Sequence, residues 1–155
     1  MQKRTRAVAI ILDNDRVLLM HRWRPEKEYF VFPGGGVEFG ETVEDAVVRE
    51  VREETMLEVS IEKLLYHHVY DDETEQYFYL CRYLSGEPKL GNGPEFKEPN
   101  LSNRFRPEWV DAKNLPRLLL YPLEIRDWLI KDIESGFNAG PRTVEMKVAD
   151  LRQSI

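Results

Sequence analysis

The stretch that decides the fold runs from Gly35 to Leu57 and reads GGVEFGETVEDAVVREVREETML. Its second half predicts a helix from Val43 to Met56, because apolar residues recur there at helical spacing. Thr42 stands where an N-cap is needed, with Asp45 three residues further on. The stretch therefore predicts a glycine-rich loop that leads directly into an amphipathic helix.

The helix carries a cluster of carboxylates on its inner face. At about 100° per residue, Glu50, Glu53 and Glu54 fall on the same side as Ala46 and Val47. Carboxylates that face a core repel each other and are costly to bury, and a divalent cation removes both costs. Ligands that are all oxygen favour Mg²⁺ or Mn²⁺. The alternative is a solvated acidic end of a surface helix, and the spacing alone does not choose between the two.

The order of residues in the whole stretch is more specific than the helix alone. Pro33-Gly34-Gly35-Gly36 lets backbone approach a ligand closely. From Gly35 the chain continues with five residues, Glu41, seven residues and Arg49-Glu50, and then Glu53-Glu54. This run closely resembles the Nudix box, and the chain is identified as a member of that family. The resemblance implies an α/β fold, an α/β/α sandwich with a mixed β-sheet, and hydrolysis of a nucleoside diphosphate linked to another group. It covers most of residues 4–135.

The resemblance also implies a role for individual side chains. Carboxylates would hold the metal, one of them would also orient the attacking water, and an arginine would hold the glutamates in place. The implied metal ligands are Glu50, Glu53, Glu54 and Glu38; the implied catalytic residues are Glu53, Glu54 and Arg49; the implied substrate-binding loop contains Gly35 and Gly36. The alternative for the arginine is a surface ion pair with Asp45, which would contribute little.

One position departs from the box, which expects glycine where this chain has Met56. A left-handed helix end would cost methionine on the order of 1 kcal/mol. Either Met56 accepts that strain, or it packs in the core with an ordinary turn. We favour the packed arrangement, because Leu57 and Val59 continue an apolar run beside it.

The rest of the chain predicts strands around this helix, a second helix and no second domain, so residues 1–155 are expected to form one domain. The C-terminal tail, 137–155, resumes an alternating pattern that indicates an added strand. The predicted strands are Arg6–Asp13, Arg16–Trp23, Tyr29–Phe32, Glu58–Tyr70, Gln76–Leu84 and Glu108–Asp111, and the second helix is Leu123–Ser135.

The loop from Ser85 to Pro107 is longer than a connection requires. Its Gly93-Pro94-Glu95 turn could fix the direction of one carboxylate, whereas Glu98 has Lys97 beside it. We therefore favour Glu95 over Glu98 as general base or fourth metal ligand. A plain surface loop is the alternative.

Other polar and aromatic side chains could contact a substrate. Arg22 and Arg24 would supply positive charge for phosphates, although ordinary surface arginines are common. His67 and His68 are adjacent on a predicted strand and point to opposite faces, so we expect them to be structural. Four aromatic residues could stack on a base or belong to the core: Trp23, Tyr29, Tyr70 and Phe78.

Composition limits the partners. A net charge of −6 argues against nucleic acid and membrane surfaces but not against a small nucleotide-type pyrophosphate substrate. The apolar run Ala7–Leu12 is too short for a signal peptide or a membrane span, and Cys81 stands alone, so we expect a cytoplasmic protein without disulfides. The oligomeric state is left open, a homodimer included.

Three functions fit this pattern. The first is a Mg²⁺-dependent hydrolase of a nucleoside triphosphate or of a nucleotide sugar such as ADP-ribose. The second is a nucleotide sensor of the same fold without turnover, which has less need of all three glutamates. The third is an isomerase of prenyl diphosphates, for which the resemblance implies a catalytic cysteine near the active site. Cys81 lies far from the box in sequence.

Overall fold

The computed structural model describes residues 4–89 and 104–145. Its strands are β1 (Arg4–Asp13), β2 (Arg16–Arg24), β3 (Lys27–Val31), β4 (Gly34–Gly36), β5 (Glu58–Val69), β6 (Thr74–Ser85), β7 (Arg104–Asp111), β8 (Leu120–Tyr121) and β9 (Arg142–Glu145). The helices are α1 (Val43–Thr55) and α2 (Leu123–Ser135), and a 3₁₀ helix spans Ala112–Arg117. Neither α1 nor α2 is long and apolar enough to cross a membrane.

In the described ranges the strands join one mixed sheet in the order β8-β3-β2-β1-β6-β5-β9, while β4 pairs with β1 and β7 with β2. Three pairs are parallel, namely β1 with β6, β3 with β8 and β5 with β9. The other pairs are antiparallel. The sheet therefore mixes a tight hairpin at Asn14 with long crossovers that pass through the helices.

The two faces of β1 build two separate cores. Ala7, Ala9 and Ile11 pack with α1, whereas Val8 and Ile10 pack with α2 and the 3₁₀ helix. Side chains alternate between the faces of a strand, so one strand serves both cores. The helices therefore cover opposite faces of the sheet, and the predicted α/β/α sandwich is confirmed.

A cleft opens where β1 and β2 part. Their ladder is confined to the residues next to the hairpin, Leu12 with Val17 and Asp13 with Arg16. Further along, β1 takes β4 as a partner, while β2 is paired with β7 from Arg16 to Trp23. The split places β4 and the inner face of α1 on one side of an opening, with β2 and β7 on the other.

Most predicted elements agree with the structure, and two predictions from the loops are wrong. The glycines at 34–36, expected to be part of a loop, form β4 through pairing with β1. β7 begins at Arg104, so the predicted loop does not extend to Pro107. In the tail, β9 lies beside β5. Met146 and Val148, the rest of the alternating pattern, lie outside the described residues.

Met56 adopts the left-handed conformation, with φ 65° and ψ 15°, and its N–H donates to the carbonyl of Arg52 at 3.0 Å. Its side chain is exposed, whereas Leu57 beside it is fully buried. The prediction that Met56 packs in the core with an ordinary turn is therefore wrong. The turn has the left-handed geometry that suits the glycine expected at this position of the box. Met56 adopts it despite the strain.

Candidate active site

The C-terminal half of α1 lies against the glycine strand β4. The N–H of Gly34 donates to Oε1 of Glu54 at 2.9 Å. A Cβ on Gly35 would stand 2.4 Å from the carboxyl carbon of Glu50, so the carboxylate occupies space that only glycine leaves open. Glu50 and Glu54 therefore lie against the backbone of β4.

Arg49 gathers the carboxylates around it. Its Nε and Nη2 donate to the two carboxylate oxygens of Glu41 at 2.7 and 2.9 Å, which is the bidentate geometry of a strong pair. Its Nη1 donates to Glu50 at 2.9 Å and to Glu53 at 3.2 Å. A further bond at 2.9 Å reaches the carbonyl of Gly36. Arg49 thus contacts three glutamates, and one of them, Glu41, was not assigned a role from the sequence. That Arg49 holds the glutamates in place for catalysis stays a prediction.

The electrostatics follow from these contacts. The hydrogen bonds from Arg49 hold the pKa of Glu41 below its usual range, and in return they raise the pKa of Arg49. The carboxylates differ in access to water: the side chain of Glu50 is 12% exposed and that of Glu53 is 39% exposed. Glu54 is buried.

Metal ligation by these glutamates stays a prediction. In the part of the chain that the structure describes, no three His, Cys, Asp or Glu side chains are grouped so that they could hold one ion. Glu50 and Glu53 accept hydrogen bonds from Arg49 instead. Glu38, the other predicted ligand, has a mostly exposed side chain 3.7 Å from Arg49.

The carboxylates border a cavity of about 530 Å³ in the cleft between β1 and β2. The lining also includes two arginines, Arg6 from β1 and Arg22 from β2. The guanidinium of Arg22 lies 5.3 Å from the ring centroid of Phe105. Burial lowers the pKa of Arg6, while the charges of Glu54 and Glu50 act in the opposite direction. The cavity is thus lined by both carboxylates and guanidinium groups.

A smaller cavity of about 190 Å³ shares Arg6 and Arg22 with the first. Beyond the arginines its walls become aromatic, with one amide among them. The added residues include Tyr70, Gln76, Phe78 and Tyr121. The cleft therefore has an order: carboxylates, then arginines, then a chamber of aromatic side chains.

The structure sorts the other predicted residues. Arg22 lines the cleft, whereas Arg24 is exposed and lies 5.7 Å from the ring centroid of Tyr29. Cys81 is buried in the core under α1, and burial raises the pKa of its thiol to about 12, so it offers no thiolate for isomerase chemistry. The predictions for Glu95 and Glu98 lie outside the described residues.

Arg6 and Phe105 were missed. Both enter the cleft through strand pairing, β1 with β4 and β2 with β7, for which the sequence carries no local signal.

Fold and site together define a mixed α/β protein with an acidic helix at the mouth of an arginine-lined cleft. A family model described as NUDIX domain matches residues 3–129. An ADP-ribose pyrophosphatase of Methanocaldococcus jannaschii is 36% identical over 111 residues, which are 68% of this chain and 60% of that protein. Putative nudix hydrolase 1 of Caenorhabditis elegans is 34% identical over 114 residues, 70% of this chain and 29% of that protein. The chain thus spans less than two thirds of the length of the first relative and less than one third of the second.

Solved structures agree on the fold. A NUDIX hydrolase from Nitrosomonas europaea superposes with a TM-score of 0.72 at 16% identity, covering 94% of this chain and 81% of that one. An ADP-ribose pyrophosphatase from Streptococcus suis gives 0.64 at 22% identity, covering 92% and 100%. The chain belongs to the NUDIX family, as the box predicted.

Proposed function

We propose that the protein is a Mg²⁺-dependent hydrolase that cleaves the pyrophosphate linkage of a nucleoside diphosphate joined to another group. One observation carries this proposal: the carboxylates that Arg49 contacts line the same cleft as Arg6 and Arg22. A substrate with two linked phosphates could contact both groups of side chains at once. The family and the name of the archaeal relative support the same reaction class.

The donor set fits a hard divalent cation. Glu50, Glu53, Glu54 and Glu38 offer only carboxylate oxygens, which suit Mg²⁺ and Mn²⁺. When bound, the cation would neutralise charge on the phosphates and lower the pKa of a coordinated water. Arg49 would keep Glu50 and Glu53 oriented during this step.

Side chains of the protein would bind the phosphates and accept the proton released in the reaction. Arg6 and Arg22 would bind the nonbridging oxygens of the phosphate further from the carboxylates. A carboxylate of the cluster would accept the proton of the attacking water, whose oxygen forms a new bond to phosphorus. The bridging P–O bond then breaks, and its electron pair leaves with the second phosphate. The products are two phosphate monoesters from a nucleotide sugar, or a nucleoside monophosphate and pyrophosphate from a nucleoside triphosphate.

We propose ADP-ribose or a related nucleotide sugar as the first substrate to test, with nucleoside triphosphates second. The archaeal relative bears the name ADP-ribose pyrophosphatase, which supports this order of tests. From the sequence we also propose a cytoplasmic location.

The test is a screen of nucleotide pyrophosphates with Mg²⁺, with the products separated by chromatography. We expect Glu53→Gln and Glu54→Gln to lower kcat by about a hundredfold or more while the fold survives. The matched control is Glu44→Gln on the same helix, because Glu44 is exposed and bonds to Tyr79 away from the cleft. Near-normal turnover in both cluster variants at saturating Mg²⁺ would refute the site.

The alternative of a nucleotide sensor is distinguished in the same screen. A sensor would bind nucleotide with measurable affinity and release no product with any substrate. Glu95→Gln and Glu98→Gln, assayed side by side, test the predicted loop carboxylate. A loss of activity at Glu95 alone, with a shift in the acidic limb of the pH profile, would support it.

A further inference from the structure

The chamber beyond the arginines is built by three neighbouring strands. Arg6 on β1 stands opposite Gln76 on β6, and Gln76 stands opposite His68 on β5. Two residues further along the β1–β6 ladder, Val8 stands opposite Phe78, and both line the chamber. Adjacent strands are about 4.8 Å apart. Gln76 therefore lies one strand beyond the arginine proposed to hold phosphate.

The side chain of Gln76 is held in place by His68 on the neighbouring strand. Its Nε2 lies 2.9 Å from Nδ1 of His68, and an amide nitrogen only donates, so Nδ1 is the acceptor. His68 is fully buried, and burial lowers its pKa to about 4, which keeps the ring neutral near pH 7. Its Nε2 is buried without a hydrogen-bond partner in the described ranges. Buried polar atoms of this kind are rare, which indicates that the ring is kept for its contact with Gln76.

The amide thus donates one N–H to His68 and retains its carbonyl oxygen and a second N–H. These two groups lie in one plane and present an acceptor beside a donor. The edge of a nucleobase presents the complementary pair, and Gln is a common partner of such edges. The aromatic walls, Tyr70, Phe78 and Tyr121, suit the flat face of the same ring.

We propose that this chamber binds the nucleobase of the substrate, that Gln76 reads the edge of the base, and that His68 is the positioning residue that orients Gln76. The inference rests on the proposed function, since it assigns the nucleoside end of the same substrate.

Size and polarity favour a base over the other ends of the molecule. A volume of about 190 Å³ is well below the range of roughly 300–1,000 Å³ of pockets that take a whole ligand, so the chamber suits one ring system. A sugar needs several hydrogen-bonding partners. Apart from the arginines and two tyrosine hydroxyls, the polar side chain described in the lining is Gln76.

Binding of products tests the proposal without requiring turnover. The affinities of AMP, GMP, CMP and UMP are measured by calorimetry against ribose 5-phosphate, which has the same phosphate and sugar without a base. For the wild type we expect at least one nucleotide to bind about tenfold or more tightly than ribose 5-phosphate. Gln76→Leu should reduce that ratio about tenfold while leaving the affinity for ribose 5-phosphate unchanged.

Further variants distinguish a loss of base recognition from a failure of the protein to fold. Gln76→Glu keeps the size and polarity of the side chain and should also lower the ratio, which covers the case in which the leucine variant fails to fold. His68→Leu should lower the ratio, and His68→Asn, which retains an acceptor, should restore part of it. The control is Tyr77→Phe, since Tyr77 stacks on His67 on the opposite face of the sheet.

The outcomes distinguish the two proposals. If no nucleotide binds more tightly than ribose 5-phosphate, or if both Gln76 variants keep the wild-type ratio, the chamber does not read a base and the inference fails. If the ratio falls as expected but no nucleotide pyrophosphate is hydrolysed, the inference stands and the proposed function fails.

Discussion

Replacing Gly35 by alanine tests whether the position of Glu50 matters for the reaction. The added Cβ would stand 2.4 Å from the carboxyl carbon and Oε1 of Glu50 and 2.5 Å from Oε2. Ordinary contact between such atoms begins near 3.5 Å, so the carboxylate must move by about 1 Å. A shift of this size in a catalytic group can cost about a hundredfold in rate. It would also disturb the 2.9 Å bond between Glu50 and Arg49.

The assay is kcat at saturating Mg²⁺ for the best substrate found in the screen of nucleotide pyrophosphates, together with the melting temperature. We expect kcat to fall about a hundredfold. The melting temperature should change little, because the displaced atoms are the end of a flexible side chain. The matched control is Gly36→Ala, where a Cβ would meet nothing within 4 Å, and its loss should be far smaller. Equal activities of the two variants would refute the reasoning.

Three other measurements test the strain, the charge and the metal. Met56→Gly should be about 1 kcal/mol more stable than Met56→Ala, or about 2–4 °C in melting temperature, because only glycine relieves the positive φ. The same pair at Leu84, exposed on a strand, should show the reverse order. Glu41→Gln should lower the free energy of unfolding at neutral pH, because pairing with Arg49 depresses the pKa of Glu41. The stability that this pair contributes is lost as pH falls through that pKa, so the difference between the variant and the wild type should shrink in acid. An equal stability difference at both pH values would contradict this. Mg²⁺ at a hundred times its Kd should raise stability by about 2.7 kcal/mol, and EDTA should reverse it. No shift with Mg²⁺ or Mn²⁺ would count against a metal site.

The sequence predicted what depends on neighbouring residues and missed what depends on distant ones. α1 was predicted because its cap at Thr42 and its apolar spacing are local. β4 was missed because three glycines carry no strand pattern, and they form a strand only through pairing with β1. Arg6 was missed for the same reason, since its place in the cleft depends on where β1 leaves β2.

Met56 shows the opposite error. The apolar run beside it suggested burial, but the backbone at a helix end is set by the turn that follows. In the structure the side chain points to solvent while Leu57 takes the buried position. The order of the box predicted this turn better than hydrophobicity did.

The parting of β1 and β2 separates two tasks that many enzymes place on the same loops. The carboxylates and Arg49 belong to α1, while the chamber belongs to strands whose inward side chains alternate with core residues. Exchanging one inward side chain of β6 would alter which molecule is accepted without moving any atom of the helix. A chain built in this way can change its substrate specificity while its reaction stays the same.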